Sequence, residues 1–305
     1  MLDLKKYRKY CKNILLVIIF GLLTISITKD LMRIYATSST STQENIFVPI
    51  MMYHQVKNNG LGKDVISPKE FESDLIFLSE NNYNTITMTE LIAYVYDGKE
   101  LPENPIILSF DDGYLSTYLN VFPLLKKYNM KIVLSIIGKS TDDFTRVKDE
   151  NINYSHMTWD QILEMVESGL VEIQNHSYNL HSNKNGRYGC CKKKDECFED
   201  YEEFLKEDIM KLQSKVQTVI NEPPSTFTYP FGRYNNDTET IVKKMGFKAT
   251  LSVTYGINVI KRGDPESLYE LKRICRSHNQ SLSKLIKEGM KTIKNIPGSN
   301  DYNIN

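Results

Sequence analysis

The sequence predicts an α/β fold, arranged as a distorted or incomplete (β/α)7 barrel. Three observations lead there. Short apolar runs alternate with helical patterns along most of the chain, as in a parallel sheet covered by helices. Several runs, Ile106 to Phe110 and Ile132 to Ile137 among them, show little polar alternation, which fits strands buried on both faces. About seven such units fit the length, and that count favours a barrel over an open sheet.

The elements follow in order. Phe47 to Tyr53 is a compact apolar run, read as the first strand. Ser67-Pro68-Lys69-Glu70 is a helix start, with a Ser cap, Pro at the first position and Glu closing the box. Phe71, Leu75 and Leu78 form its inner stripe. Thr87 and Glu90 repeat the box, and Gly98 marks a stop. Val121 to Tyr128 reads as a helix. Thr158 to Gln161 caps another that ends near Gly169, and Val171 to Gln174 is a strand. Glu199 to Ile220 is a long amphipathic helix. Thr226 to Tyr229 is a strand, Asp237 to Met245 a helix and Phe247 to Ser252 a strand. Trp159, the single tryptophan, reads as core packing beside its helix cap.

A chain of 305 residues suits one domain of about 200–250 residues with appendages, or two small ones. The formal net charge is zero, yet residues 1–36 hold seven Lys/Arg against two Asp/Glu. The remainder is therefore slightly acidic, which argues against nucleic acid as a partner. A basic flank over 1–13 precedes an uncharged apolar run from Ile14 to Thr28. That pattern reads as a signal peptide or signal-anchor, although the run is short beside the about 20 residues of a spanning helix. A polar linker over 29–46 follows, then a catalytic domain over 47–294 and an Asn-rich tail over 295–305. Export is expected, with the chain secreted or held by the membrane through its N-terminal segment. Of five cysteines, Cys190, Cys191 and Cys197 cluster in a Lys-rich loop and Cys275 stands alone. A Cys191–Cys197 disulfide or free thiols both fit, and no C-x-x-C pair suggests zinc.

In α/β barrels the reactive groups sit at the C-terminal ends of strands, and four such ends carry unusual chemistry. Ser109-Phe110-Asp111-Asp112-Gly113 sets two carboxylates after a buried strand. Their like charges call for a cation or a shared proton; the plain alternative is a polar turn. His176 and His181 lie five positions apart just after a strand, within reach of one ion of the kind imidazole favours. His54 ends the first strand and suits proton transfer, unless its ring is simply satisfied by backbone. Tyr229-Pro230-Phe231-Gly232 forms a turn able to offer backbone N–H groups to substrate.

Together these motifs resemble the polysaccharide deacetylases of carbohydrate esterase family 4, which share the NodB homology domain. The resemblance covers roughly residues 47–280. The family's T-F-D-D-G motif appears as Ser109 to Gly113. Its histidine pair, usually four apart, is five apart here, in H-S-Y-N-L-H. That variant, with Met52-Tyr53-His54 upstream, is similar to the branch that deacetylates poly-N-acetylglucosamine in biofilms. The resemblance implies a metal set of Asp112, His176 and His181 holding one divalent ion, Zn2+ foremost with Co2+ or Ni2+ as alternatives. It implies Asp111 as general base, His54 as general acid and the Phe231 N–H as an oxyanion donor. Ser177 is carried over as a brace for the histidine loop, while Tyr229, Pro230 and Gly232 are read as substrate-binding from their place in the turn beside Phe231. Where many members place an Arg to pair with the base, Thr228 stands here, and Arg273 is the candidate to supply that charge from a late strand.

The expected activity is removal of N-acetyl groups from N-acetylglucosamine units of an extracellular or cell-wall polysaccharide by a monomer. Peptidoglycan as substrate, an O-acetyl esterase and a non-catalytic wall carbohydrate-binding protein are the competing readings. Residues 182–198, a basic insertion beside the histidines, read as a lid, a substrate-facing loop or a solvated segment.

Overall fold

All eight residues from Pro105 to Asp112 are buried, and together they form the central strand. The computed structural model describes residues 28–29, 45–184 and 186–296. The chain divides into two units, Met1–Glu44 and Asn45–Asn305. The basic flank and the apolar run lie outside the described residues, except for Thr28, and so do most of the linker and most of the tail. Among the described residues no helix is long and apolar enough to cross a membrane.

The second unit opens with β1 (Asn45–Val48) and β2 (Ile50–Tyr53), so the expected first strand is two short ones. Helices α1 (Pro68–Glu80) and α2 (Met88–Asp97) follow, then β3 (Pro105–Asp112), α3 (Phe122–Tyr128) and β4 (Ile132–Ile136). Next come α4 (Gly138–Arg146), α5 (Trp159–Glu167), β5 (Val171–Asn175) and a small hairpin of β6 (Asn183–Lys184) and β7 (Arg187–Tyr188). The chain continues through α6 (Phe198–Ile220), β8 (Thr226–Thr228), α7 (Asn236–Lys244), β9 (Ala249–Leu251), β10 (Asn258–Lys261), β11 (Ile274–Cys275) and α8 (Leu282–Met290).

Seven parallel strands run in the order β9-β8-β5-β4-β3-β2-β11, with Asn84–Thr85 as a short addition beside β3. A single bridge between Leu251 and Leu271 joins the two outer strands' neighbourhoods. This is the expected incomplete barrel.

Alternation along β3 shows where the core sits. Ile106, Leu108 and Phe110 pack with Phe71, Leu75 and Leu78 of α1. Ile107 packs instead with Ile50, Val133, Ala249 and Leu251 from the other strands. Successive side chains point to opposite faces, so the interior row continues from Ile107 to Ser109 and Asp111. The barrel is thus apolar lower down and polar at its C-terminal rim.

The expected capping boxes at Ser67/Glu70, Thr87/Glu90 and Thr158/Gln161 all form, and Gly98 ends α2 in the left-handed region. Trp159 packs against the core, and its indole N–H donates to Asp142 at 2.9 Å. Helix α4 carries no apolar stripe and no side-chain cap, so nothing in its sequence announces it. Strands β10 and β11 are too short to show a period.

Glu70 does more than cap. Its carboxylate accepts from the Ser67 N–H at 2.8 Å, faces His278 Nδ1 at 2.9 Å and accepts from the Asn279 N–H at 2.8 Å, tying the chain after β11 to α1. Burial opposes its charge, yet these hydrogen bonds lower its pKa from the ordinary 4.5 to about 2. A depressed carboxyl pKa contributes stability above the unfolded value and loses it as pH falls. Glu70→Ala is therefore expected to cost about 2 kcal/mol at pH 7. Urea midpoints of the two chains should converge between pH 5 and 2, and a gap that stays constant with pH would contradict this.

Candidate active site

Four strand ends meet at one rim. His54 follows β2, Asp111 and Asp112 end β3, His176 follows β5 and Tyr229 follows β8. The parallel register keeps them level, with Tyr53 opposite Phe110, Asp112 opposite Ile136 and Asn175 opposite Phe227. They line a cleft of about 610 Å³ that also takes in Tyr114, Tyr188, Tyr255 and Arg273.

Asp112, His176 and His181 form a possible metal site. One ligand atom from each lies within 4.8 Å of the others. The Nε2 atoms of His176 and His181 stand 3.5 and 3.4 Å from Asp112 Oδ1. A tetrahedral ion with ligands at about 2.0–2.2 Å puts its ligand atoms about 3.3–3.6 Å apart, so both histidine–Asp112 spacings fit. The donor chemistry fits too. His176 Nδ1 donates to the Thr228 carbonyl at 2.8 Å, which leaves the Nε2 lone pair facing Asp112. Asp112 Oδ1 is buried without a hydrogen-bond partner. Burial, with the His176 charge beside it, lowers His181 to about 4 and so keeps its imidazole a neutral donor. Burial opposes a proton on His176, but the Asp112 and Asp111 carboxylates raise its pKa nonetheless. A cation would answer the same carboxylates.

Backbone strain is concentrated here. Asp112 (φ 72°), Ser177 (φ 70°) and Phe231 (φ 58°) all occupy the left-handed region, at roughly 1 kcal/mol or more each. At Asp112 this conformation breaks the strand's alternation. His156 Nδ1 donates to the Asp112 carbonyl at 3.0 Å and so holds that peptide. Ser177 braces the histidine loop by accepting from the Leu180 N–H at 3.0 Å, while its own N–H donates to Asn175 Oδ1 at 2.8 Å.

Arg273 reaches Asp111 directly. Its Nη1 lies 2.7 Å from Asp111 Oδ1 and 2.9 Å from Ser109 Oγ, and its Nε donates to the Ser252 carbonyl at 2.7 Å. Both residues are buried. Burial opposes ionisation of Asp111, but the Arg273 guanidinium, together with the nearby His176 and His54, holds the carboxyl below its usual range. Thr228 contributes its carbonyl to His176 and its hydroxyl to Ser135.

The remaining expected residues divide. His54 lines the cleft, with Nδ1 4.0 Å from Asp64 Oδ1. Phe231 and Gly232 line it as well, and the Phe231 N–H has no partner among the described residues. A Cβ on Gly232 would meet the Val253 side chain at 2.1 Å, and the Gly232 φ of 63° lies in the left-handed region, so both favour glycine there. Tyr229 borders the cleft but its phenol is bonded to Glu239, and Pro230 is buried behind the turn. The four described cysteines are free thiols. The sequence reading missed His156 and Tyr114; neither sits in a local pattern that marks it.

Residues 98–250 match the polysaccharide deacetylase family. The poly-β-1,6-N-acetyl-D-glucosamine N-deacetylase of Escherichia coli K12 is 25% identical over 264 residues, covering 80% of this chain. This chain spans only 38% of that protein's length. The enzyme of the same name from Staphylococcus epidermidis is 27% identical over 226 residues, covering 73% of this chain and 71% of that one. Among solved structures, the de-N-acetylase from Aggregatibacter actinomycetemcomitans matches with a TM-score of 0.67 and 25% identity, over 80% of this chain and 99% of that one. IcaB from Ammonifex degensii matches with a TM-score of 0.62 and 26% identity, over 77% and 93%. The chain belongs to the polysaccharide deacetylase family.

Proposed function

We propose that this chain removes N-acetyl groups from N-acetylglucosamine units of an extracellular or cell-wall polysaccharide, with a poly-N-acetylglucosamine-like polymer favoured. One observation carries the reading: a three-ligand cluster, Asp112, His176 and His181, stands beside a second carboxylate, Asp111, that is paired to a buried arginine. The named activity of the relatives from Escherichia coli and Staphylococcus epidermidis supports the choice of polymer. The basic flank and the apolar run 14–28 support export, whether secreted or anchored at the outer face of the cell membrane.

When bound by Asp112, His176 and His181, a divalent ion, zinc foremost, supplies Lewis-acid polarisation of the amide carbonyl and water acidic enough to attack near neutral pH. The chain's own residues do the rest. Asp111 takes the attacking water's proton on the oxygen that Arg273 does not hold. The Phe231 N–H donates to the oxyanion, a contact worth about 3–4 kcal/mol in comparable sites. His54, carrying a proton, delivers it to the leaving sugar amine.

The test is acetate release by the purified chain from a panel of N-acetylated glucosamine polymers, peptidoglycan and acetylated xylan, before and after chelation. Release from a glucosamine polymer is expected, falling at least about 100-fold on chelation and returning with zinc. Release from xylan alone would make the chain an O-acetyl esterase. No release from any polymer would leave a carbohydrate-binding protein.

A further inference from the structure

The insertion at 182–198 is pinned to the catalytic turn. Arg187, buried in the hairpin, donates to the Cys191 carbonyl at 2.7 Å, is paired with Glu196, and lies over the Phe204 ring of α6 at 3.9 Å. Gly189 (φ 60°) follows the hairpin so closely against the turn that a Cβ there would meet the Pro230 carbonyl oxygen at 2.9 Å. Between these anchors stands Tyr188. Its ring lies nearly parallel to that of Phe231, with centroids 4.7 Å apart and planes at 9°. The Phe231 ring in turn sits 3.9 Å from that of His181. The Arg233 guanidinium lies 5.4 Å from the Tyr188 ring. Although held on this scale, Tyr188 stays 39% exposed and lines the cleft. Its hydroxyl has no hydrogen-bond partner among the described residues.

An aromatic ring fixed by its neighbours, yet open to a polar cleft, presents a ready apolar contact and a free hydroxyl at little entropic cost. A pyranose offers the complementary surface, with axial C–H groups on its faces and hydroxyls at its edge. We propose that Tyr188 is a specificity-determining residue, presented by the 182–198 insertion to contact the sugar unit next to the one being deacetylated. This rests on the polysaccharide reading given above. The insertion is then a fixed wall of the substrate cleft.

The experiment compares steady-state acetate release from N-acetylglucosamine oligomers of two to six units by the unaltered chain, Tyr188→Ala, Tyr188→Phe and Tyr154→Ala. Tyr154 is an exposed tyrosine hydrogen-bonded to Asp149 and does not line the cleft. Tyr188→Ala is expected to lower kcat/KM about tenfold on the longer oligomers, chiefly through KM, and to flatten the gain in kcat/KM with chain length. Tyr188→Phe should recover most of the loss, and Tyr154→Ala should match the unaltered chain. A Tyr188→Ala enzyme with unchanged KM on long oligomers overturns the proposal, as does a loss confined to kcat, which would place its effect on the Phe231 turn. An unaltered chain inactive on every oligomer removes the functional reading itself, and this inference with it.

Discussion

Replacing Asp112 by alanine is expected to cut acetate release about a thousandfold and to abolish the thermal stabilisation that zinc gives the unaltered chain. The reason is geometric. Asp112 Oδ1 is the atom both imidazoles face, at 3.4 and 3.5 Å, and it has no other partner. Without it two neutral nitrogens remain, which bind a divalent ion far more weakly than a set with a carboxylate. Lewis-acid assistance is worth several kcal/mol, and about 4 kcal/mol is a factor of a thousand in rate. The binding arm needs no catalysis. Zinc that binds the folded chain raises its melting temperature by mass action, so the unaltered chain should shift with added zinc and Asp112→Ala should not. A variant that keeps both the shift and the rate would mean the ligand set lies elsewhere.

The parts of this site that could be read in the sequence are the local ones. A buried strand announces itself by an unbroken apolar run, and whatever polar residues follow it must stand at the rim. Asp111, Asp112, His176 and the turn at Phe231 were legible for that reason. What stayed hidden depends on pairs distant in sequence. Arg273 joins Asp111 across 162 positions; its short strand looks like any basic segment, and only the family resemblance, through the missing Arg at Thr228, points to it. His156 holds the Asp112 carbonyl from 44 positions away, in a stretch with no period to mark it. The insertion's sequence leaves a lid, a substrate-facing loop and a solvated segment equally open, because nothing local shows that Arg187 is buried against the Tyr201 and Phe204 rings. In each case a polar side chain is drawn out of water by tertiary packing and bonded to a partner elsewhere in the chain, and no local pattern encodes that outcome.

Arg273→Ala is the second large effect expected, and it separates stability from catalysis. The side chain is fully buried, and three of its contacts are to Asp111, Ser109 and the Ser252 carbonyl. Removing it leaves Asp111 charged, buried and unpaired, at a cost of about 3–5 kcal/mol. A domain of this size loses about 2–4 °C per kcal/mol, so calorimetry should show a fall of roughly 10 °C. If Asp111 is the general base, its orientation depends on the oxygen that Arg273 grips, and kcat/KM should fall at least about 100-fold. Arg273→Lys keeps the charge but loses the fork that reaches Asp111 and Ser252 together, and should land between. The double variant Asp111→Asn with Arg273→Met removes both charges. It should recover much of the lost stability while staying inactive, because a buried ion pair costs more to break than to replace. An Arg273→Ala chain with normal kcat/KM would strip Arg273 of any hold on the base. A double variant no more stable than the single one would mean the fall in melting temperature comes from lost packing rather than from the stranded carboxylate.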